Sequence, residues 1–177
     1  MNRRPARPGV HGANPVRGRS EFGKQLSMKQ KIKHIYGVLE RQFRVHFEEC
    51  QGRPGSLGDR LLERLECRLD NVVYRSGIAS SRSMARQMVG YNFFVVNGKR
   101  MDIPSYEVKS GDIIEVKTTK AGKNIFTLRT ENIKGAKAPH WLEVNADKLT
   151  IKVVGMPKRE DIGVTVDPQL VVEYYSK

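Results

Sequence analysis

The sequence is poor in cysteine, in aromatic residues and in negative charge. Its two cysteines, Cys50 and Cys67, lie outside any CxxC or Cys/His cluster, so neither a zinc site nor a disulfide framework is expected and both read as reduced thiols. No run approaches the roughly 18 apolar residues of a membrane span. The start, MNRRPARPGVHG, carries charge without the apolar stretch of a secretory signal, and Pro5, Pro8, Gly9 and Gly12 break any amphipathic targeting helix. A soluble intracellular protein with no membrane partner is expected. Acidic residues number 19 against 32 Lys plus Arg, leaving a net charge of +13. That excess calls for a polyanionic partner, and nucleic acid fits better than a lipid surface because no Trp, Phe and Leu-rich insertion face accompanies the basic segments.

The 177 residues, 38% of them hydrophobic, suffice for one core of ordinary size or two small ones. The charge is uneven. Residues 1–60 hold 13 basic against five acidic side chains, residues 61–120 hold ten against seven, and the remainder nine against seven. Residues 1–24 read as a basic arm, with Arg3, Arg4, Arg7, Arg17 and Arg19 among prolines and glycines and almost nothing apolar. Such a segment orders on a phosphate backbone, which guanidinium groups bind in pairs.

From Ser27 the spacing predicts one long helix, with Ser27 and Gln30 as a capping box and an apolar stripe through Met28, Ile32, Ile35, Tyr36, Leu39, Phe43 and Phe47. Lys31, Lys33, Arg41 and Arg44 supply its cations. Cys50, Gly52, Pro54 and Gly55 end it. Ser56 and Asp59 open a second helix through Leu57, Leu61, Leu62, Leu65 and Leu69. A third follows Ser80 or Ser81, with Met84, Ala85, Met88 and Val89 inward and Arg82 and Arg86 one turn apart near its N-terminus, where helix dipole and cations act on one anion. Phe93–Val96, Asn97-Gly98 and Lys99–Ile103 read as a hairpin with cations at its tip. A second extended unit runs through Tyr106 and Val108, turns at Ser110-Gly111-Asp112 and continues in Ile113–Lys117. Beyond Lys120 a short helix over Asn124–Ile133 and strands over Trp141–Val144 and Leu149–Val154 are expected. At the end local signals conflict: Val171, Val172, Tyr174 and Tyr175 favour strand, whereas Asp167-Pro168 is a helix start.

The strings LLERLECRLDNVVYRSGIASSRSMARQMV, VVNGKRMDIPSY and VKSGDIIEV, with the flanks PGVHGA, FGKQLSMKQKIKHIYGVLERQFR, PHWLEV and LVVEYYSK, resemble the family of small-subunit ribosomal protein four over nearly the whole chain. The resemblance implies an α+β protein: an N-terminal helical domain completed by the C-terminal segment, with an inserted RNA-binding module of helices packed on an antiparallel sheet. The corresponding division is 1–24 arm, 25–60 helical domain with 157–177 packing back on it, 61–120 module and 121–156 extension of its sheet. The C-terminal segment is then helix. It also implies a structural protein, not an enzyme, that binds small-subunit ribosomal RNA at a 5′-domain helix junction, nucleates assembly, supports translational accuracy and lies beside neighbouring ribosomal proteins and the messenger RNA entry channel, in the cytoplasm on a bacterial rather than an organellar ribosome. The candidate RNA contacts are Arg3, Arg4, Arg7, His11, Arg17 and Arg19 in the arm, Lys31, Lys33, Arg41 and Arg44 in the first helix, and Arg68, Arg75, Arg82, Arg86, Gln87, Lys99 and Arg100 in the module. Asp70, an acceptor that repels phosphate, is expected to orient a neighbouring arginine.

Two departures from the family pattern stand out. The chain starts only a few residues before the PGVHGA segment, so the cysteine-bearing extension that binds zinc in some members is expected to be missing and no metal or cofactor is carried over. Gly90-Tyr91-Asn92 replaces a glycine or small polar pair; Asn92 tolerates the positive φ such a turn needs. Two other readings compete: an RNA-modifying enzyme of the pseudouridine synthase kind, through the triplet Arg68-Leu69-Asp70, and a free ribosome-associated RNA-binding protein using the same module.

Overall fold

In the computed structural model, which describes residues 9–10, 18, 20–52, 54–121, 138–163 and 166–176, the apolar side chains gather into two clusters on either side of Glu66. The arm candidates and the helix expected over 124–133 lie outside the described residues.

The first cluster belongs to helices. α1 spans Glu21–Tyr36, and its start is Ser20, whose Oγ accepts from the Gly23 N–H at 3.2 Å, not the Ser27 box. The long helix expected through Phe47 is two helices. Gly37 takes φ 60 and sends its N–H to the His34 carbonyl, while the Val38 N–H reaches Lys33, a glycine-closed helix end. α2 then runs Glu40–Cys50. The apolar stripe concealed this break because Val38 is itself buried at the corner. α3, Leu57–Glu66, starts at Ser56, whose Oγ accepts from the Asp59 N–H. It stops before Leu69: Cys67 caps it in helical geometry, Arg68 is extended, and Leu69 opens a separate helix α4, Leu69–Arg75.

The C-terminal segment is helical, as the family resemblance implies. It contributes helix α7, Gln169–Tyr175, which buries Val171 against Ile32, Phe43, Leu61 and Leu65. Tyr175 lies 4.7 Å from the Phe47 ring centroid, and Gln25 donates to Glu173 at 2.9 Å. Helix wins over strand because residues three and four apart, here Val171 and Tyr175, must share one face toward α1 and α2. The approach to α3 is close: a methyl group added at Gly58 would lie 2.8 Å from the Pro168 Cβ. Gly58→Ala is therefore expected to lower stability by about 1–3 kcal/mol through overpacking, measured by urea unfolding, with the C-terminal helix showing the largest gain in amide exchange.

The second cluster lies between α4 with α5 (Arg82–Gly90) and an antiparallel sheet. Its strands are β1 (Phe94–Val96), β2 (Lys99–Met101), β3 (Ile113–Val116), β4 (Leu142–Asn145) and β5 (Thr150–Val153), in the order β2-β1-β3-β5-β4. A short helix α6, Thr118–Ala121, follows β3. Period-two alternation turns Phe94, Val96, Ile114, Val116, Ile151 and Val153 onto Leu69, Val73, Ala85 and Met88. Asn97 and Gly98 both take positive φ, 50 and 75, as a tight hairpin turn demands. The Asn97 side chain also accepts from the Ile113 N–H and donates to Asp112, tying the hairpin to β3. Asn92 takes φ 61, the geometry expected of it, and its Oδ1 accepts from Lys117. Tyr106–Val108, expected to be extended, joins no strand of the sheet but forms an isolated antiparallel bridge, Glu107 to Arg68. It runs beside the α3–α4 link, giving its Tyr106 carbonyl to the Leu69 N–H and its Val108 N–H to the Cys67 carbonyl.

Candidate nucleic-acid interface

The two clusters meet at a buried carboxylate. Glu66, the last residue of α3, is 1% exposed. One oxygen accepts from the Tyr36 hydroxyl at 2.6 Å and from Arg75 Nη2 at 2.7 Å; the other accepts from Arg75 Nε at 2.9 Å and Asn71 Nδ2 at 2.7 Å. Burial alone would raise its pKa, but the hydrogen bonds and charge of Arg75, with the donors of Tyr36 and Asn71, outweigh that and hold it below the ordinary carboxylate value. Tyr36, from α1, is pushed well up by burial and by the Glu66 charge, so it remains a donor.

A second carboxylate orders the arginines of the module. Asp70 accepts from Arg68 Nε at 3.2 Å and Nη2 at 2.9 Å and from its neighbour's backbone N–H at Asn71. Arg86 reaches the same carboxylate at 3.4 Å. Asp70 thus orients arginines, the role its acceptor chemistry suggested.

These networks divide the sequence-derived candidates. Arg68 is 2% exposed and sits inside the fold. Arg75 is held by Glu66. Arg82 donates to Asn71 Oδ1 at 2.8 Å and lies between the Tyr36 and Tyr74 rings, 5.1 and 4.4 Å from their centroids. All three were expected to meet RNA; their guanidinium groups are engaged by buried partners, which directs them toward the fold. Lys33 is half-buried against Glu40. Lys31, Arg41 and Arg44 are exposed along α1 and α2, Arg44 pairing with Glu48 one turn on. Arg86 and Gln87 are exposed on α5, and Lys99 and Arg100 on the hairpin. Hence Arg82 and Arg86, one turn apart, do different things: one turns inward between aromatic rings, the other stays exposed while reaching the Asp70 carboxylate and the Gly37 carbonyl.

Sequence reasoning missed Glu66 and Glu40. Glu40 accepts from Lys29 at 2.5 Å, Lys33 at 3.1 Å and the Tyr175 hydroxyl at 2.9 Å, linking α1, α2 and α7. Burial opposes ionisation, yet these donors lower its pKa to about 2. A glutamate at a predicted helix start near two lysines was the available signal for it.

A helical unit carrying exposed cations is thus joined by a buried ion cluster to a sheet-backed helix pair, a frame that suits a polyanionic partner. The S4 domain model matches residues 67–114 and the model for the Ribosomal protein S4/S9 N-terminal domain matches residues 1–66, the two meeting where α3 stops. Among similar proteins, the small ribosomal subunit protein uS4 of Saccharopolyspora erythraea is 50% identical over 177 residues, covering 100% of this chain and 88% of its own. Those of Thermodesulfovibrio yellowstonii and Clostridioides difficile are each 49% identical, covering 100% and 96% of this chain and 85% and 81% of theirs. The chain belongs to the bacterial-type uS4 family of small ribosomal subunit proteins.

Proposed function

We propose that this protein is a structural component of the bacterial small ribosomal subunit that binds 5′-domain ribosomal RNA at a helix junction and nucleates assembly, with neighbouring ribosomal proteins as partners and messenger RNA at the entry channel. Identity across the whole chain, both domain models included, carries this reading. Physical chemistry agrees with it. A-form RNA hides its base edges, so a junction is read through phosphates and 2′-hydroxyls by separated cations on a rigid frame. Lys31, Arg41, Arg44, Arg86, Gln87, Lys99 and Arg100 supply contacts from the frame. Arg3, Arg4, Arg7, His11, Arg17 and Arg19 supply the arm. The division into arm, helical domain with its C-terminal return, module and sheet extension follows the same reading.

Catalysis is not part of this function. A carboxylate that attacks or deprotonates a nucleotide must reach it, whereas the Asp70 side chain is 7% exposed and engaged by Arg68 and Arg86. Incubating the protein with small-subunit RNA and assaying uridine isomerisation should give none; turnover would overturn this part of the reading. Crosslinking within the small subunit should join α2 and the β1–β2 hairpin to 5′-domain RNA, and crosslinks confined to another domain would contradict the site.

The division between Arg82 and Arg86 is testable. Arg86→Ala should weaken RNA binding about tenfold and lower the melting temperature by less than Arg82→Ala does, since a charge-assisted contact is lost while the long bonds to Asp70 and the Gly37 carbonyl that go with it come from a half-exposed side chain. Arg82→Ala should cost about 1–2 kcal/mol of folding stability, because a half-buried cation leaves two rings and Asn71. Filter binding and thermal melts of the two variants separate the roles; equal effects on both readouts would contradict it.

A further inference from the structure

The sequence holds one Asn-Gly pair, Asn97-Gly98, at the tip of the β1–β2 hairpin, and both residues are exposed. Asparagine is a labile residue, most of all before glycine. With no Cβ to hinder it, the glycine nitrogen can close on the asparagine amide carbon and form a succinimide ring. Space around the glycine is open, since nothing lies within 4 Å of the point where a Gly98 Cβ would stand.

What restrains that reaction is the way the amide is held. The Asn97 N–H donates to the Ile113 carbonyl at 2.8 Å and its Oδ1 accepts from the Ile113 N–H at 2.9 Å, so backbone and side chain together extend the pairing with β3. Asn97 Nδ2 donates to Asp112 Oδ1 at 2.8 Å. Asp112 is itself fixed: it is buried, and its Oδ2 accepts from the Lys109 N–H at 2.8 Å. Both ends of the Asn97 amide are thus bonded to the segment entering β3, and its carbon reaches the Gly98 nitrogen only when those bonds break. Return is blocked as well. In aspartate an oxygen takes the place of Nδ2 and meets Asp112 Oδ1, and two carboxylates in such contact disfavour each other's charge. In isoaspartate the main chain gains a methylene inside a two-residue turn, which the pairing of Val96 with Lys99 does not accommodate.

We propose that Asn97 is a site of spontaneous covalent modification, gated by its clamp on Asp112 and Ile113. When the hairpin tip lifts from those residues, the Gly98 nitrogen gives up its proton and bonds to Asn97 Cγ. The Cγ–Nδ2 bond breaks and ammonia leaves. Water then opens the succinimide to aspartate or isoaspartate. Because the new carboxylate faces Asp112, the clamp does not reseal, and each opening that reacts is recorded in one direction. The consequence falls on Lys99 and Arg100, the exposed cations that follow, which gain a negative neighbour. None of these steps depends on RNA.

The test incubates the full chain at mildly alkaline pH, folded and in guanidinium chloride, and follows the amide-to-acid mass gain at each asparagine by peptide mapping. In denaturant Asn97 should convert faster than every other asparagine, and in the folded chain at least about tenfold more slowly than in denaturant. Asp112→Asn, which cannot accept from both Asn97 and the Lys109 N–H, should raise the folded-state rate about threefold or more. Asn97→Asp should lower the melting temperature by about 2–4 °C. Combining it with Asp112→Asn sets one donor against one acceptor again and should recover most of that loss. A faster asparagine elsewhere in denaturant, or equal rates at Asn97 in the folded and denatured chain, would overturn the gated site. A double variant no more stable than Asn97→Asp would overturn the clamp. The comparison of folded with denatured parent needs no substitution, so it decides even where a variant fails to fold.

Discussion

Glu66→Ala is expected to lower folding stability by about 3–5 kcal/mol, because removing one partner of a buried ion pair strands the other. Arg75 would lose both its bonds to Glu66, Tyr36 its acceptor at 2.6 Å, and Asn71 one of its two. Domains of this kind are stable by only about 5–15 kcal/mol, so such a loss removes a large fraction of the total. The residue also joins the clusters: Tyr36 belongs to α1, Arg75 and Asn71 to α4. The variant should therefore unfold in two steps by urea titration, with the helical unit and the module losing their shared transition. A single transition displaced by less than about 1 kcal/mol would mean that Glu66 is a bystander.

The same carboxylate gives stability a direction in pH. Its folded-state pKa lies below the ordinary value of 4.5, since Arg75, Tyr36 and Asn71 favour the charged form by more than burial opposes it. A group depressed in this way contributes stability that is fully present above its unfolded pKa and is lost as pH falls through the folded one. Glu40, lowered to about 2, acts in the same direction, though its exposure weakens the effect. Acidification from pH 5 should thus erode stability, and Glu66→Gln, less stable at pH 7, should show a flatter acid limb than the parent.

Much of this fold is written locally. Ser56, Ser81 and the Asn97-Gly98 turn announce themselves by residue type, and each stands where its chemistry requires. The strands of β4 and β5 follow from composition, although their place beside β3 does not. What escaped local reading depends on distant partners. Gly37 breaks the first helix, yet Ile35, Tyr36, Val38 and Leu39 keep the stretch apolar, and only the packing of α2 on α3 shows that the chain must turn. The C-terminal helix has strand-like composition because its inner face is fixed by α1, more than 130 residues away. Tyr106–Val108 alternates like a strand but pairs with the α3–α4 link, a connection no short window contains.

The candidate site divides along the same line. That cations would be many and forward-weighted was legible; which of them face outward was not. Arg68, Arg75 and Arg82 look equivalent to Arg86 in sequence, and only the positions of Glu66, Asp70 and two tyrosine rings distinguish braces from contacts. Glu66 itself was hidden because Tyr36 lies 30 residues before it.

The second large effect concerns salt. A protein that meets RNA through separated cations releases a counterion for each phosphate neutralised, so affinity falls as a power of salt concentration. Six frame cations and five arm arginines among the candidates make several simultaneous phosphate contacts the expectation. With about six to ten of them, raising salt from about 50 to 200 mM should weaken binding about a thousandfold or more. Apolar or base-edge recognition would leave a shallow dependence. Deleting residues 1–19 should reduce the slope and the affinity together, since the arm adds phosphates and little else.

The most direct measurement of the central claim is the affinity of the full chain for a 5′-domain fragment of small-subunit ribosomal RNA, titrated across that salt range beside a fragment from another domain of the same RNA. The account predicts tight binding to the first, a steep linear fall in log affinity with log salt, and markedly weaker binding to the second throughout. Equal affinity for both fragments, or an affinity for the first that stays flat in salt, would contradict it.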